Sequence, residues 1–274
     1  MSENYEKEGG KVEGEVKIKT PFLTWLDNFF YHYKWHTVAV LFVIAVIVIC
    51  TMQTCSRTTF DTHIMYAGDK DVKMSAPSGE TSEHEELLRA VKKYTPDRDG
   101  DGNRNIDLKN LYLPSDAEIA RLEALIAELK AEGKESFEIG YSLISSNRKT
   151  FSETLIFGDC YVYIISDHLL FENTSDPKSN PFAPIKEYLP EGAEYETGNN
   201  TESGKYALAG EWGVYLHSTP LSDEPGFSSL PENTVIAMRK LSVATSSLSR
   251  EKAEAYFAYN EEILRNMLSG EAYS

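Results

Sequence analysis

The residues best suited to chemistry in this sequence lie in one acidic segment, residues 97–107 (DRDGDGNRNID). Oxygen-bearing side chains recur there at alternate positions, and Gly102 stands at the sixth position, where a calcium-binding loop turns sharply. Alternate residues of a tight loop can all point inward, and Ca²⁺ takes about six to eight oxygen ligands. A bound Ca²⁺ would have a structural role, because no residue nearby suggests catalysis. The predicted ligands are Asp97, Asp99, Asp101, Asn103, Asn105 and Asp107.

The second half of this acidic loop departs from the calcium-loop pattern. The loop resembles EF-hand and dockerin calcium loops in its first half only, because position 12 is Leu108 instead of Glu and Asp107 comes one place early. It also lies between a predicted helix and a predicted strand, whereas an EF-hand loop joins two helices. The alternative is an acidic turn held by hydrogen bonds between side chains and backbone, and the sequence leaves both interpretations open.

No other group of residues has the spacing of a catalytic or metal site. The six histidines include no pair with zinc-site spacing and a carboxylate or cysteine partner. The sequence contains no GxSxG elbow, phosphate-binding loop or HExxH motif, so we predict that the protein is not an enzyme. Cys160 is expected to be a small apolar core residue, whereas Cys55 could form an intermolecular disulfide. Trp212 and Tyr215 either line a ligand surface or pack in the core.

One apolar stretch is long enough to cross a membrane. Residues 35–56 contain no charged side chain, and residues 38–50 (VAVLFVIAVIVIC) are continuously apolar. A helix of about 20 such residues spans a bilayer. The alternatives are a buried helix of a soluble protein and a cleaved signal peptide, whose charged leader would be unusually long here. We therefore predict an uncleaved signal-anchor helix over residues 35–56.

The residues that flank this stretch predict its orientation. Three lysines precede the stretch closely, Lys17, Lys19 and Lys34, and one basic residue, Arg57, follows it. Lys and Arg near a membrane span favour its cytoplasmic side. We therefore expect a cytoplasmic N-terminus and an extracellular C-terminal domain at the cell membrane. Residues 1–19 are predicted to be a disordered cytoplasmic tail. Residues 20–34 form a juxtamembrane aromatic segment, either an amphipathic helix in the headgroup layer or an extension of the span.

The acidic balance of the chain limits its partners. The 274 residues carry 27 Lys and Arg against 43 Asp and Glu, a net charge of −16. This excess argues against nucleic acid as a partner, because phosphate backbones require a basic surface. Since residues 1–56 are nearly neutral, almost all of the charge lies in residues 57–274, where it would repel anionic lipid.

After the apolar stretch, strand-like and helix-like segments alternate. Short apolar runs with a period of two predict strands, and apolar spacings of three and four predict helices. This order favours an α/β domain over residues 57–274, with a partly parallel sheet flanked by helices. The predicted strands cover residues 60–66, 106–113, 160–165, 212–217 and 234–238, and the predicted helices cover 83–94, 115–133, 150–157, a short segment from 166, and 249–268.

Several short motifs carry a resemblance to known families. The segment FSETLIFGDCYVYII (151–165), followed by PFAPIKEYL (181–189), resembles extracytoplasmic solute-binding proteins of bacterial ABC transporters. The motifs DNFFYHYKWHT (27–37), MYAG (65–68) and PGFSSLP (225–231) resemble uncharacterised membrane-anchored proteins of Gram-positive bacteria. The resemblance implies a bacterial envelope protein and names no ligand. The exported part is shorter than a two-lobed solute-binding protein, so one lobe or a reduced two-lobe form is expected.

Three functions follow as hypotheses. The first is a single-pass membrane-anchored, extracytoplasmic protein with a solute-binding-like domain that binds a small molecule or an envelope protein. The second is a structural accessory subunit of a membrane complex, and the third is an exported hydrolase. A polar interlobe cleft would favour the first hypothesis and an uncovered apolar patch the second, whereas a nucleophile that converges with a base would favour the third.

Overall fold

The computed structural model describes residues 21–55, 60–76, 80–241 and 249–273. The chain divides into two compact units, Met1–Thr58 and Thr59–Ser274. Residues 1–20, which include the predicted tail, lie outside the described residues, as do residues 56–59 at the end of the predicted span.

The first unit contains one continuous helix, α1 (Pro21–Cys55). Within it, Tyr31–Met52 has a mean hydropathy of 2.4 and no buried residue, so by length and composition this stretch can cross a membrane. The helix is continuous from Pro21 through the described part of the predicted juxtamembrane segment, residues 20–34. This continuity agrees with the interpretation in which the juxtamembrane segment extends the membrane span. The hydroxyl of Thr51 donates to the Ile47 carbonyl at 2.7 Å, so this polar group is satisfied within the helix.

Aromatic rings form a ladder along the first half of α1. Phe22, Trp25, Phe29 and Tyr33 follow one another at spacings of three and four, and neighbouring ring centroids lie 5.3–6.2 Å apart. These spacings place the rings on one face of the helix. Rings of this kind favour the headgroup region of a bilayer.

The described residues of the second unit form a seven-stranded mixed sheet flanked by helices, in the strand order β2-β1-β3-β7-β6-β5-β4. β1 pairs in parallel with β2 and β3, whereas β7 is antiparallel to both β3 and β6. The strands are β1 (Thr62–Gly68), β2 (Ile106–Tyr112), β3 (Val162–Ser166), β4 (Tyr195–Thr197), β5 (Tyr206–Ala209), β6 (Gly213–Tyr215) and β7 (Thr234–Met238). The helices are α2 (Glu83–Lys92), α3 (Asp116–Ala131), α4 (Tyr141–Phe157), α5 (Asp167–Thr174) and α6 (Arg250–Ser269).

Alternating side chains of the strands build a core on each face of the sheet. Ile64 and Tyr66 of β1 pack in the cluster that contains the apolar residues of α2 and α6, and we call this side the α6 face. Met65 and Ala67 point the other way and pack with α4 and α5, on the side we call the α5 face. The period of two along a strand therefore supplies both cores from the same segment.

Two parts of the fold differ from the sequence predictions. Helix α4 begins at Tyr141 rather than near residue 150, because the buried Ile144 and Phe151 anchor a segment whose Ser and Asn residues are weak helix formers. No strand or helix is predicted over residues 190–204, yet they contain the three-residue strand β4, which pairs with β5. A strand this short exists because its neighbour binds it, and local sequence carries little of that signal.

Candidate functional site

The acidic loop between α2 and β2 is organised around Asp97. Its Oδ1 accepts the Gly100 N–H at 2.8 Å, and its Oδ2 accepts the Gly102 N–H at 2.7 Å. Gly100 and Gly102 have φ of 73° and 81°, in the left-handed region that favours glycine. The hydrogen bond from Gly102 is the largest of the effects that lower the pKa of Asp97, because backbone N–H groups stabilise its charged form.

The fold adds one acidic residue that the spacing did not indicate. Asp61, just before β1, has one carboxylate oxygen within 4.8 Å of an oxygen of Asp97 and of an oxygen of Asp99. Asp61 is buried, and its carboxylate accepts the Asn105 N–H at 2.7 Å. It lies far from the loop in the chain, and β1–β2 pairing brings the two together. Three carboxylates at this distance offer oxygen ligands for a hard divalent cation.

The other predicted ligands take different roles. The Asp101 carboxylate accepts the Asn103 N–H at 2.6 Å, and Asn105 uses its backbone to bind Asp61. Asp107 lies in β2, where its carboxylate is 2.8 Å from Nδ1 of His63 on the neighbouring strand. Of the six predicted ligands, Asp97 and Asp99 therefore belong to the described carboxylate cluster, and calcium binding stays a prediction.

The acidic loop is attached to the α6 side of the domain. The Arg98 guanidinium lies over the rings of Tyr256 and Tyr259 of α6, 4.7 and 5.8 Å from their centroids. The Tyr259 hydroxyl donates to the Pro96 carbonyl at 2.7 Å. These contacts couple the loop to the packing of α6.

A second polar group of residues lies where the sheet reverses its winding, between β1 and β3. Open α/β sheets bind ligands at such a reversal, at the carboxyl ends of the strands. Helix α2 follows β1 and packs on the α6 face, whereas α5 follows β3 and packs on the α5 face. Gly68 at the end of β1 lies so close to β3 that a Cβ there would be 2.6 Å from Ser166 Oγ.

The polar groups at this reversal bind one another. The Asp69 N–H donates to Ser166 Oγ at 3.1 Å, and the Asp69 carboxylate accepts the Ser115 N–H at 2.5 Å and the Asn233 amide at 2.7 Å. Asp69 therefore connects four segments that are distant in the chain. Both ring nitrogens of the nearby His168 are buried without a hydrogen-bond partner among the described residues.

The described part of the α/β domain contains no nucleophile hydrogen-bonded to a histidine base. Cys160 is buried, and burial raises the pKa of its thiol to about 12, so it is not a nucleophilic thiolate. This agrees with its expected place in the core. Tyr215 is also buried, and Trp212 packs against the same core cluster, so packing accounts for both residues. The Cys55 side chain lies outside the described residues.

The third region is an uncovered apolar groove beside α3, formed with the segment that leads into α4. Five large apolar side chains of α3 lie at helical spacing, and all five are half-buried, so none of the sixteen residues of this helix is fully buried. Phe137, Tyr141 and Leu143 are 44, 53 and 57% exposed. The apolar spacing predicted α3 itself, but it did not indicate that these side chains would be only half-buried.

Two adjoining cavities make up this α3 groove, and they share Phe137, Glu138 and Ile139. The first has a volume of about 370 Å³ and is also lined by Glu123, Ile126, Lys130 and Tyr141. The second has a volume of about 290 Å³ and is also lined by Asp71, Tyr112, Leu122, Gly140 and Leu143.

Carboxylates set the electrostatics of the α3 groove. The Tyr141 hydroxyl donates to Glu123 Oε1 at 2.6 Å, and this hydrogen bond raises the pKa of Tyr141. Burial is the main cause that raises the pKa of Tyr112, and the charges of Glu118 and Asp71 add to it. The groove therefore combines an apolar floor with an acidic rim.

Comparison with known proteins found no family model, curated protein or solved structure that matches this chain.

Proposed function

We propose that this protein is a single-pass membrane-anchored interaction protein that binds a protein partner through the α3 groove. The observation that carries the proposal is the exposure of Phe137, Tyr141 and Leu143 beside α3, whose own large apolar side chains are only half-buried. Exposed apolar patches of this kind on a packed domain mark interaction sites. The proposal draws on the hypothesis of a structural accessory subunit of a membrane complex.

The membrane anchor in this proposal is α1. Its stretch Tyr31–Met52 is about 33 Å long at the α-helical rise, close to the thickness of a bilayer's hydrocarbon core. The basic residues before the span favour a cytoplasmic N-terminus and an extracellular acidic domain. The predicted relation to envelope proteins of Gram-positive bacteria agrees with this arrangement.

The topology can be tested with two C-terminal fusions of the full chain. A reporter that works only outside the cytoplasm should be active, and one that works only in the cytoplasm should be inactive. Replacing Lys17, Lys19 and Lys34 with Glu should reduce this difference, because the basic bias across the span is removed. Activity of the cytoplasmic reporter on the unchanged chain would contradict the proposed topology.

Partner binding can be tested by site-specific photo-crosslinking in cells. A photoreactive phenylalanine analogue is placed at Phe137, in the groove, or at Tyr195 in β4, at the opposite edge of the sheet. Tyr195 is a matched control for Phe137, because the two side chains are 45 and 44% exposed. We expect a discrete protein adduct from position 137 that position 195 does not form, and Leu143→Ser should remove it. Equal adducts, or none from position 137, would contradict a partner site at the groove.

Binding of a small molecule at the β1–β3 reversal is a second candidate, favoured by the two ring nitrogens of His168, which are buried without a hydrogen-bond partner among the described residues. The second unit forms one sheet in its described residues, so a cleft between two lobes is not the basis of this candidate. A thermal-shift screen of a ligand library on the full chain tests it. A hit should shift the melting temperature of the unchanged chain and not of a His168→Phe variant.

A further inference from the structure

We infer that the α3 groove binds a cationic amphipathic segment of a partner protein, with apolar side chains on the groove floor and Lys or Arg at its rim. This inference rests on the proposed function and specifies the chemistry of the partner. It requires that both the apolar and the acidic components of the groove face outward.

The apolar component is the floor shared by the two cavities. Phe137 and Ile139 line both of them, and Leu122 and Leu143 extend the apolar surface in the second. Volumes of about 370 and 290 Å³ accommodate apolar side chains from a partner, and burying one such side chain contributes about 1.5–3 kcal/mol. Two adjoining cavities suit a segment that presents more than one apolar residue.

The acidic component is the rim. Glu123 lines the first cavity, Asp71 lines the second, and Glu138 lines both, whereas Lys130 is the lining residue of opposite charge. The Asp71 charge already contributes to the raised pKa of the Tyr112 hydroxyl, so the rim acts electrostatically on the cavity. A cation on the partner therefore gains from complementarity, which supplies specificity and faster association.

Charge favours a cationic segment in the α3 groove over an anionic lipid surface or a second copy of the chain. An anionic lipid surface would be repelled by the rim and by the net charge of −16. A second copy of the same surface would place one acidic rim against another. A cationic amphipathic segment gains from both components of the groove.

The test measures the binding of two fluorescent peptides to the full chain in a neutral maltoside detergent, with detergent alone as the blank. One peptide has 14 residues of Leu and Lys at helical spacing, and the other replaces every Lys with Glu. We expect saturable binding of the Leu/Lys peptide and at least tenfold weaker binding of the Leu/Glu peptide. Equal binding of the two peptides would overturn the inference.

Matched variants separate the groove from the general acidity of the domain. Glu138→Lys should weaken binding of the Leu/Lys peptide at least fivefold, whereas Glu191→Lys makes the same charge change at an exposed site elsewhere and should leave it unchanged. Leu143→Ser should also weaken binding, and Tyr195→Ser should not. Equal losses from the two charge variants would show a nonspecific polyanion effect and overturn the inference.

Two further results distinguish this inference from the proposed function. A dimer of the full chain that Leu143→Ser dissociates would assign the groove to a second copy and overturn the cationic partner. A specific crosslink at position 137 without selectivity for the Leu/Lys peptide would overturn the inference and leave the partner site standing. The absence of any specific protein adduct from position 137 would contradict the proposed function itself.

Discussion

Helices α3 and α6 show how similar apolar spacing can lead to different environments. Helix α6 packs on its face of the sheet and buries seven residues, among them Leu264 and Met267. Helix α3 has Leu or Ile at comparable spacings, yet it buries none. The difference lies in what covers each helix, because α6 shares a buried core with strands of the sheet whereas α3 adjoins the exposed segment before α4. An apolar stripe therefore predicts a helix, and its neighbours decide whether that helix is core or surface.

The largest expected effect compares one leucine on each helix. Leu264→Ala removes a fully buried side chain of α6, so we expect a loss of about 2–5 kcal/mol in the free energy of unfolding. Leu122→Ala on α3 removes a half-buried side chain and should cost less than about 1 kcal/mol. Urea unfolding of the full chain in detergent measures both values. Similar losses would mean that α3 is as well covered as α6.

A second comparison asks whether the apolar surface of α1 is covered by lipid. Ile44→Arg places a charge near the middle of Tyr31–Met52, and we expect membrane insertion to become less favourable by about 2.5–3.5 kcal/mol. The membrane fraction of the expressed chain, after carbonate extraction, measures the effect. Ile126→Arg on α3 is the control and should leave the membrane fraction unchanged. If Ile44→Arg also leaves it unchanged, α1 is not the anchor.

A smaller effect concerns the acidic loop on the α6 side. Calcium should raise the melting temperature of the full chain by a few degrees, because a ligand bound only to the folded state stabilises it. Asp61→Asn should reduce this shift, since Asp61 lies in the carboxylate cluster with Asp97 and Asp99. Asp107→Asn should retain it, since Asp107 binds His63. The reverse pattern would support the ligand set predicted from spacing, and no shift in the unchanged chain would exclude a stabilising calcium site.

The smallest expected effect is a pH dependence of stability at Asp97. Its pKa is lowered in the folded state, chiefly by the Gly102 N–H, so its contribution to stability is present above the unfolded pKa and is lost as the pH falls through the folded pKa. Asp97→Asn should therefore destabilise the chain at pH 7 and have less effect at pH 3. Urea unfolding at both pH values measures the change. If Asp97→Asn lowered the free energy of unfolding equally at pH 7 and pH 3, the charge of the Asp97 carboxylate would not contribute to stability.

Local signals made several elements predictable. Ser82 caps α2 in a reciprocal arrangement with Glu85, and Ser115 accepts the Glu118 N–H at the start of α3. The apolar run before Ser166 is β3, which is buried on both faces. By contrast, the first half of α4 and the strands β4 and β5 depend on distant partners, so no local pattern predicted them.

The candidate sites were less predictable than the elements. The pattern from Asp97 to Asp107 indicated the acidic loop, but β1–β2 pairing brought Asp61 into its carboxylate cluster and placed Asp107 beside His63. Asp69 and Asn233 are likewise joined only through the sheet. Spacing describes how residues repeat along one element, and it carries no information about which distant element lies opposite.

The linear order of residues was enough to predict the long apolar helix, the acidic character of the rest of the chain and the α/β pattern of elements. These properties depend on composition and on interactions within a few residues, which the linear order contains. Three features depend on packing between distant elements: the apolar side chains of α6 are buried while those of α3 are half-buried, Asp61 lies beside Asp97, and Phe137 and Glu138 line the same groove. Burial and long-range proximity depend on how the elements pack, because the packed neighbour determines whether a side chain meets protein or solvent.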